Sequence, residues 1–171
     1  MVAASVLASS AAQTFERFFA QEYARAVNVA VRITGDRDEA EDVAQDVFVK
    51  CAQARRFLKP GAGAWIHAAV AHAALNAVRA RTRRSRREAR VSGAPAQPDP
   101  QTLVESEEER RRVRAALLRL APHEAQLLAL RYAGFSYREC ALALSLDAAQ
   151  IGTRLARAER AFKKEIEREP S

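Results

Sequence analysis

The chain has 171 residues, a net charge of +7 and a sequence pI near 10.1, and 49% of its residues are hydrophobic. This hydrophobic fraction excludes a wholly disordered chain, and no uninterrupted apolar run approaches the roughly 20 residues of a membrane span. The basic excess favours an anionic partner, with nucleic acid first and an anionic membrane surface second.

The N-terminal segment, residues 1–12, is mildly apolar but is broken by serines and lacks a basic start. It is therefore a poor signal peptide, and we expect a frayed tail. A helix pattern begins at Thr14, and its apolar positions recur at three and four residues: Phe15, Phe19, Tyr23, Val27 and Ala30. Gly35 is expected to end this helix in the left-handed conformation.

A second helix is predicted to start at Asp36, with Glu39 three residues on. Its apolar stripe is Ala40, Val43, Ala44, Val47 and Cys51. The exposed side carries Glu41, Asp42, Gln45 and Asp46. An ordinary solvated face with acids near a helix N-terminus explains this pattern, and a docking surface for a basic partner is the alternative. Charge alone favours the solvated face.

A third, long helix is predicted from Ala62 to Arg87, after a break at residues 57–61. His67, His72, Asn76 and Arg79 are expected to face outward or toward a partner. The two histidines are five residues apart, which is the wrong spacing for a metal pair on one helix face. The helix ends in an arginine-rich run, residues 79–90, which suits either phosphate contact or a solvated basic linker.

A proline-, glycine- and serine-containing stretch, residues 91–102, is the one convincing interdomain linker. We therefore predict an all-α fold of two small helical domains, residues 13–87 and 105–168, joined by a flexible linker at 88–104. In the second domain a helix is expected from Glu105 to Leu120, and Pro122 is expected at the first position of the next one.

The C-terminal domain is predicted to contain a helix-turn-helix. Ser136 and Glu139 have the spacing of a capping box, and Asp147 is a good N-cap for the following helix. The apolar face of that helix is Ile151, Leu155, Ala158 and Phe162. Its opposite face is Gln150, Thr153, Arg154 and Arg157. This pattern suits insertion into the DNA major groove, although a helical hairpin with a solvated outer face would look the same.

Residues for catalysis or cofactor binding are not evident. The sequence has no serine–histidine–acid grouping, no glycine loop for phosphates and no plausible pair of catalytic carboxylates. Cys51 and Cys140 lie far apart in apolar helical settings, so neither a disulfide nor a zinc site is indicated. We expect a protein that acts by binding, without an enzymatic activity, a metal or another cofactor.

Three segments resemble the extracytoplasmic-function (ECF) sigma factors of bacterial RNA polymerase. The segment ITGDRDEAEDVAQDVFVKC (33–51) is similar to the family's core-binding helix, and AWIHAAVAHAALNAVRAR (64–81) is similar to its minus-ten helix. The segment from 120 to 162, which includes LRYAGFSYRECALALSL, is similar to its minus-thirty-five domain. The resemblance covers about residues 13–87 and 110–165, with the three segments in the family's order.

The resemblance implies a sigma factor that works in the cytoplasm with core RNA polymerase, promoter DNA and an anti-sigma factor. It implies core-polymerase binding by Glu41, Asp42, Gln45 and Asp46. It implies minus-ten contacts by Trp65, His67, His72, Asn76 and Arg79. It implies minus-thirty-five contacts by Arg138, Gln150, Thr153, Arg154 and Arg157.

Several positions depart from the family pattern, including Ala62-Gly63 in place of its Phe-Arg and His72 in place of its usual asparagine. Ala68 and Ala71 stand where the family has arginines, and Gly152 stands where it has a lysine. Two alternatives therefore remain at this point. One is a stand-alone helix-turn-helix regulator that binds DNA as a dimer, and the other is a degenerate sigma-like protein that binds partners without opening promoters.

Overall fold

The computed structural model describes residues 2–92 and 104–168, which are helical throughout apart from short connections and contain no strand. The α-helices of these residues are α1 (Val2–Thr34), α2 (Arg37–Gln53), α3 (Ala62–Ser92), α4 (Val104–Arg119), α5 (Pro122–Tyr132), α6 (Tyr137–Leu144) and α7 (Ala148–Glu167). A short 3-10 turn, Arg56–Leu58, connects α2 to α3. The all-α prediction is confirmed.

Helix starts lie where the capping residues predict them. The Asp36 carboxylate accepts a hydrogen bond from the Glu39 N–H at 2.9 Å, and Asp147 accepts one from the Ala149 N–H at 2.9 Å. Ser136 and Glu139 form a complete capping box at the start of α6. Each cap satisfies backbone donors that have no partner within their own helix.

The N-terminal helix is longer than the sequence pattern indicates. Residues 2–12 belong to α1, so the expectation of a frayed tail up to residue 12 is wrong for the backbone. The error arose because this segment lacks an apolar stripe, whereas its alanines have the highest intrinsic helix propensity. The predicted end of α1 is confirmed, since Gly35 has φ +71° and donates its N–H to the Val31 carbonyl at 2.9 Å.

The helix that carries the arginine-rich run continues to Ser92. It therefore includes residues 88–92 of the predicted linker 88–104, and residues 93–103 lie outside the described part of the chain. In the second half, α4 ends at Arg119 and Pro122 occupies the first turn of α5, as predicted.

The N-terminal half is a three-helix bundle in which α1, α2 and α3 pack on one another. An aromatic cluster lies where the middle of α1 meets α2, and its centre is Phe48, which is 2% exposed. Phe18, Phe19 and Tyr23 surround that ring with centroid distances of 5.1–5.8 Å. Burial of one such side chain contributes about 1.5–3 kcal/mol, so the cluster fixes α1 against α2.

The C-terminal half, α4 to α7, also packs against the N-terminal half. Helix α3 contacts both α5 and α6, and the buried hydrophobic residues of the two halves form one cluster. The contact is centred on Phe135, which is 1% exposed and lies between α5 and α6. The described residues therefore form a closed arrangement, in which α3 is covered on one side by α1 and α2 and on another by α5 and α6.

Candidate nucleic-acid interface and acidic docking surface

The acidic residues of α2 lie together on the outside of the N-terminal half. Asp42, Gln45 and Asp46 are exposed and Glu41 is half-buried, whereas the opposite face of the helix is buried through Ala40, Ala44, Val47, Phe48 and Cys51. We call the four residues Glu41, Asp42, Gln45 and Asp46 the acidic surface. They are brought together as predicted, and the buried opposite face holds them in one orientation.

Neighbouring side chains compensate only part of the charge of the acidic surface. Glu41 pairs with Arg37 at 2.9 Å and Asp46 with Lys50 at 2.5 Å, both four residues away on the same helix. Exposed pairs of this kind contribute only about 0.3–0.5 kcal/mol, so a partner displaces them easily. Within the described residues, Asp42 has no ion-pair partner.

Helix α3 presents only some of its predicted DNA contacts to solvent. His72 and Asn76 are exposed and lie side by side, with the Asn76 Nδ2 atom 3.3 Å from the His72 Nε2 atom. Arg79 is half-buried one turn further on. Trp65 is also half-buried, and the Arg56 guanidinium lies 5.2 Å from its ring centroid. These residues lie on one side of α3, but their exposure differs.

His67 does not face solvent, which corrects the expectation of an outward side chain. It is 2% exposed, because the edge of its ring packs on Phe135 with a centroid distance of 4.7 Å. Its Nε2 atom lies 2.8 Å from the Glu22 carboxylate, and its Nδ1 atom is buried without a hydrogen-bond partner. The sequence pattern could not show this, because Phe135 belongs to the other half of the chain.

Burial lowers the pKa of the His67 imidazole, against the opposing effects of its hydrogen bond and charge contact with Glu22. The neutral ring donates its Nε2–H to Glu22 and leaves only an acceptor at Nδ1. Protonation would place a second N–H donor in a buried position without an acceptor, which is costly. His67 therefore belongs to the packing between the two halves in this arrangement.

Arg25 also contributes to the contact between the two halves. Its guanidinium lies 2.7 Å from the Glu139 carboxylate and 3.8 Å from the centroid of the Phe135 ring. Glu139 also accepts from the Ser136 N–H at 2.8 Å as part of the α6 cap. The hydrogen bonds from Arg25 and Ser136 lower the pKa of the Glu139 carboxyl to about 2. Sequence reasoning identified Glu139 only as a capping residue and did not identify a role for Arg25 or Phe135.

The short connection between α6 and α7 is held by local hydrogen bonds. Ser145 has φ +54°, and the Leu146 N–H donates to the Ala141 carbonyl oxygen at 2.9 Å. A left-handed residue followed by such a bond satisfies carbonyl groups at a helix C-terminus. Asp147 then starts α7, so the two helices are joined by three ordered residues, Ser145, Leu146 and Asp147.

Helix α7 separates an apolar side from a polar side as predicted. Ile151, Leu155 and Ala158 are buried and Phe162 is half-buried, whereas the side chains predicted to contact DNA are exposed: Gln150, Thr153, Arg154 and Arg157. The Arg154 guanidinium donates to the Gln150 side-chain oxygen at 3.0 Å. Arg138 is exposed on α6. The structure thus keeps a row of hydrogen-bonding and cationic groups in solvent along one helix.

Three positions where the family carries a cation, Ala68, Ala71 and Gly152, have different structural settings. Ala71 is fully buried and Ala68 half-buried, so in this arrangement the small side chains allow close packing around α3. At Gly152, an added Cβ atom would meet only the Tyr137 ring, at an ordinary contact distance of 3.6 Å. Gly152 is therefore not required by packing or by its backbone conformation.

No metal-binding group of three or more histidine, cysteine or carboxylate side chains occurs among residues 2–92 and 104–168. No helix in that part of the chain is long and apolar enough to cross a bilayer.

Comparison with known proteins agrees with this architecture. Residues 18–84, which span α1 to α3, match the sigma-70 region 2 family. The ECF RNA polymerase sigma factor SigK of Mycolicibacterium vanbaalenii is 26% identical over 160 residues, which cover 90% of this chain and 82% of that protein. The sigma factor RpoE of Bartonella quintana, solved in complex with the anti-sigma factor NepR, has a similar fold with a TM-score of 0.51 and 19% identity. That alignment covers 91% of this chain and 98% of RpoE.

The matched region assigns residues 18–84 to the sigma-70 region 2 family. Over 90% of its length the chain is similar to an ECF RNA polymerase sigma factor, and its fold is similar to that of a sigma factor of known structure.

Proposed function

We propose that the chain directs core RNA polymerase to a small set of promoters by binding polymerase and DNA with different surfaces. The acidic surface on α2 docks on a basic part of core polymerase. Trp65, His67, His72, Asn76 and Arg79 on α3 lie at the minus-ten element. Arg138 on α6 and the polar side of α7 lie at the minus-thirty-five element. The chain acts by binding and catalyses no reaction, and its place of action is the cytoplasm.

The observation that carries this proposal is the exposure of Gln150, Thr153, Arg154 and Arg157 on α7 above a buried apolar side. A helix with this division can insert into the major groove, where arginine and glutamine donors read base edges and threonine contacts bases or phosphates. The α6–α7 unit is then a helix-turn-helix. The acidic surface has no use in a stand-alone DNA-binding regulator, which favours the sigma-factor mechanism.

The closed arrangement bears on the minus-ten contacts. His67 is covered by Phe135, so it reaches DNA only if the C-terminal half moves away from α3. Promoter opening also requires base unstacking, at a few kcal/mol per step. A chain of this size meets that cost only together with polymerase. We therefore expect weak promoter binding by the isolated chain and strong binding by the complex with core polymerase.

A charge-reversal experiment tests whether polymerase and DNA bind to different surfaces of the chain. The variant Asp42→Arg/Asp46→Arg should lose binding to purified core polymerase and run-off transcription, while retaining the weak DNA binding of the isolated chain. Glu108→Arg/Glu109→Arg on the exposed side of α4 is the matched control and should retain both. Unchanged core binding in the first variant would contradict the proposed docking role, and loss of both activities in the control would indicate a nonspecific charge effect.

Run-off transcription on candidate promoters separates a sigma factor from a sigma-like protein that only binds partners. Transcription from at least one promoter is expected, and silence on all of them would favour the second function. An anti-sigma factor is a further proposed partner, since the structurally similar RpoE was solved with one. A protein of that class should co-purify with this chain and reduce its binding to core polymerase.

A further inference from the structure

An arginine-lined cleft separates the end of α3 from α4. The cleft has a volume of about 760 Å³ and is bounded by the end of α1, the C-terminal part of α3 and α4. Its lining includes seven arginines, and α3 and α4 both contribute: Arg79, Arg81, Arg83, Arg86, Arg111, Arg114 and Arg119. The carboxylates in the lining are those of Asp36 and Glu107. We call this feature the arginine cleft.

Most of this positive charge is not neutralised within the described residues. Arg81 pairs with Glu39, and Arg119 pairs with Glu165 at 2.6 Å. The Glu107 carboxylate already pairs with Arg110 at 3.1 Å, and Asp36 caps α2. The remaining arginines of the cleft have no carboxylate within ion-pair distance in this part of the chain: Arg79, Arg83, Arg86, Arg111 and Arg114.

This concentration of positive charge opposes the closed arrangement of the two halves. Like charges on α3 and α4 repel across the cleft, and contacts elsewhere, such as that between Arg25 and Glu139, must offset this repulsion. An anion with several negative charges would turn the same arginines into a set of attractions between the two halves. The chemistry of the cleft thus calls for a specific kind of ligand.

The geometry and side chains of the cleft suit phosphate groups. Guanidinium groups bind phosphate oxygens through two parallel hydrogen bonds, which ammonium groups cannot do. The volume lies in the range of small-molecule sites, and Val78, Ala115 and Leu118 supply an apolar wall beside the charges. The bare backbone of Gly35 leaves room for the Arg114 side chain, whose guanidinium would collide with an added Cβ atom.

We propose that the arginine cleft binds a small anion with closely spaced phosphate groups, and that this anion bridges α3 and α4 and stabilises the closed arrangement. The ligand is a short polyphosphate or a nucleotide with several phosphates. This site is separate from the acidic surface and from the polar side of α7, and it shares Arg79 with the proposed minus-ten contacts. The anion site does not depend on the proposed function, so it would stand even if the proposed polymerase and promoter contacts were wrong.

Calorimetric titration of the full chain with inorganic tripolyphosphate at constant ionic strength tests the site. The expected result is binding of one tripolyphosphate per chain. Arg83→Gln/Arg111→Gln removes one unpaired cation from each wall and should weaken binding at least tenfold. The matched control, Arg17→Gln/Arg160→Gln, removes the same charge at exposed positions outside the cleft and should leave the affinity within twofold. Equal weakening in both variants, or no binding to the unaltered chain, would overturn the proposal.

Thermal unfolding gives a second measurement that does not depend on calorimetry. Tripolyphosphate should raise the midpoint of the unaltered chain and of the control variant, because a ligand of the folded state stabilises it. The cleft variant should unfold no earlier than the unaltered chain without anion, since it loses repulsion, and should respond less to tripolyphosphate. A cleft variant that responds as fully as the control would contradict the site.

The DNA backbone is another source of closely spaced phosphates, and competition distinguishes it. A short DNA duplex should not displace tripolyphosphate at concentrations that saturate its weak binding to the isolated chain. If the duplex displaces tripolyphosphate and its own affinity falls in the cleft variant, the cleft binds the DNA backbone and the small-anion proposal is overturned.

Discussion

The guanidinium of Arg25 in α1 and the carboxylate of Glu139 in α6 lie 2.7 Å apart and join positions 114 residues apart in the sequence. Between their helices lies Phe135, which the same guanidinium covers at 3.8 Å from the ring centroid. The pair therefore combines an ion pair, a cation–π contact and a helix cap at one point of contact between the two halves.

Removing this ion pair should weaken the contact between the halves without unfolding α6. Glu139→Gln is a suitable change, because glutamine can also complete a capping box. Both carboxylate and guanidinium are about 40% exposed, so a double-mutant cycle with Arg25→Gln should give a coupling of only about 0.2–1 kcal/mol. The free energy of urea unfolding measures it, and small-angle X-ray scattering should show a larger mean radius of gyration.

A matched control for that cycle is the pair of Glu107 and Arg110, which lies within α4. Glu107→Gln with Arg110→Gln should leave the radius of gyration unchanged. Additive effects in the Arg25 and Glu139 cycle, with no change in scattering, would show that the pair does not contribute to the contact. Acid should act in the same direction as Glu139→Gln. The depressed pKa of Glu139 makes its contribution complete above the usual value of 4.5 and lost as pH falls toward about 2.

His67 should titrate below its usual value of 6.5, because burial lowers its pKa. In the unfolded chain the ring binds a proton more readily, so the free energy of unfolding should rise with pH until pH passes 6.5. Proton NMR of the imidazole gives the pKa, and denaturation at several pH values gives the slope. The charged groups facing the ring are Glu22, Arg25 and Glu139.

The variant His67→Gln provides the control for this pH dependence. Glutamine keeps a donor for Glu22 but has no proton to exchange in this range. The rise of the free energy of unfolding with pH, between the pKa of native His67 and pH 6.5, should therefore be smaller in the variant. An imidazole that titrates above 6.5 in the native chain would mean that the attraction of Glu22 outweighs burial.

Gly152→Ala should stabilise the chain by about 1 kcal/mol, because glycine inside a helix costs about that much relative to alanine. The added methyl group meets only the Tyr137 ring at 3.6 Å, and the backbone at this position is helical. Urea unfolding measures the difference. A lower free energy of unfolding in the variant would show that the added methyl group does not fit beside the Tyr137 ring.

Gly152→Lys tests the function of the same position. If α7 contacts the minus-thirty-five element, the added cation should strengthen DNA binding and steepen its salt dependence by about 0.9 per phosphate contacted. Gly152→Gln is the neutral control and should change neither. If the salt dependence of DNA binding is the same in the lysine variant as in the unaltered chain, position 152 lies away from the DNA backbone.

Cys140 should be unreactive toward thiol reagents while the chain is folded. It is fully buried, and burial raises the pKa of its thiol to about 11, so the reactive thiolate is scarce at neutral pH. Labelling should become fast only in denaturant. A Cys51→Ala variant isolates the signal from Cys140, and rapid labelling of that folded variant would show that α6 opens readily.

The sequence predicted those features that depend on nearby residues. The caps at Asp36, Ser136 and Asp147 and the apolar stripe of α7 involve residues within one or two helical turns, so their spacing is sufficient to predict them. The start of α1 was missed, because high alanine propensity leaves no periodic pattern to detect. The caps, the apolar stripe and the alanine-rich start of α1 all depend on interactions or propensities of residues close together in the sequence.

The contact between the halves could not be predicted in this way. His67, Arg25 and Phe135 each fit an ordinary solvent-facing or loop position when read along the sequence, and only the folded chain brings them together. The same holds for the arginine cleft, since the run at residues 79–90 suggests phosphate contact but does not show that arginines of α4 face it. Long-range packing decides both features, and sequence spacing carries no information about it.

The chain connection between the two halves has a consequence for regulation. Residues 93–103 link Ser92 to Val104, so even a fully extended connection holds these positions within about 40 Å of each other. Tethering of this length corresponds to an effective concentration of order millimolar. A pairing too weak to persist between separate molecules can thus dominate within one chain. Under the proposed function, a partner that binds α3 competes with this intramolecular pairing, so changes at the contact alter how readily that partner binds.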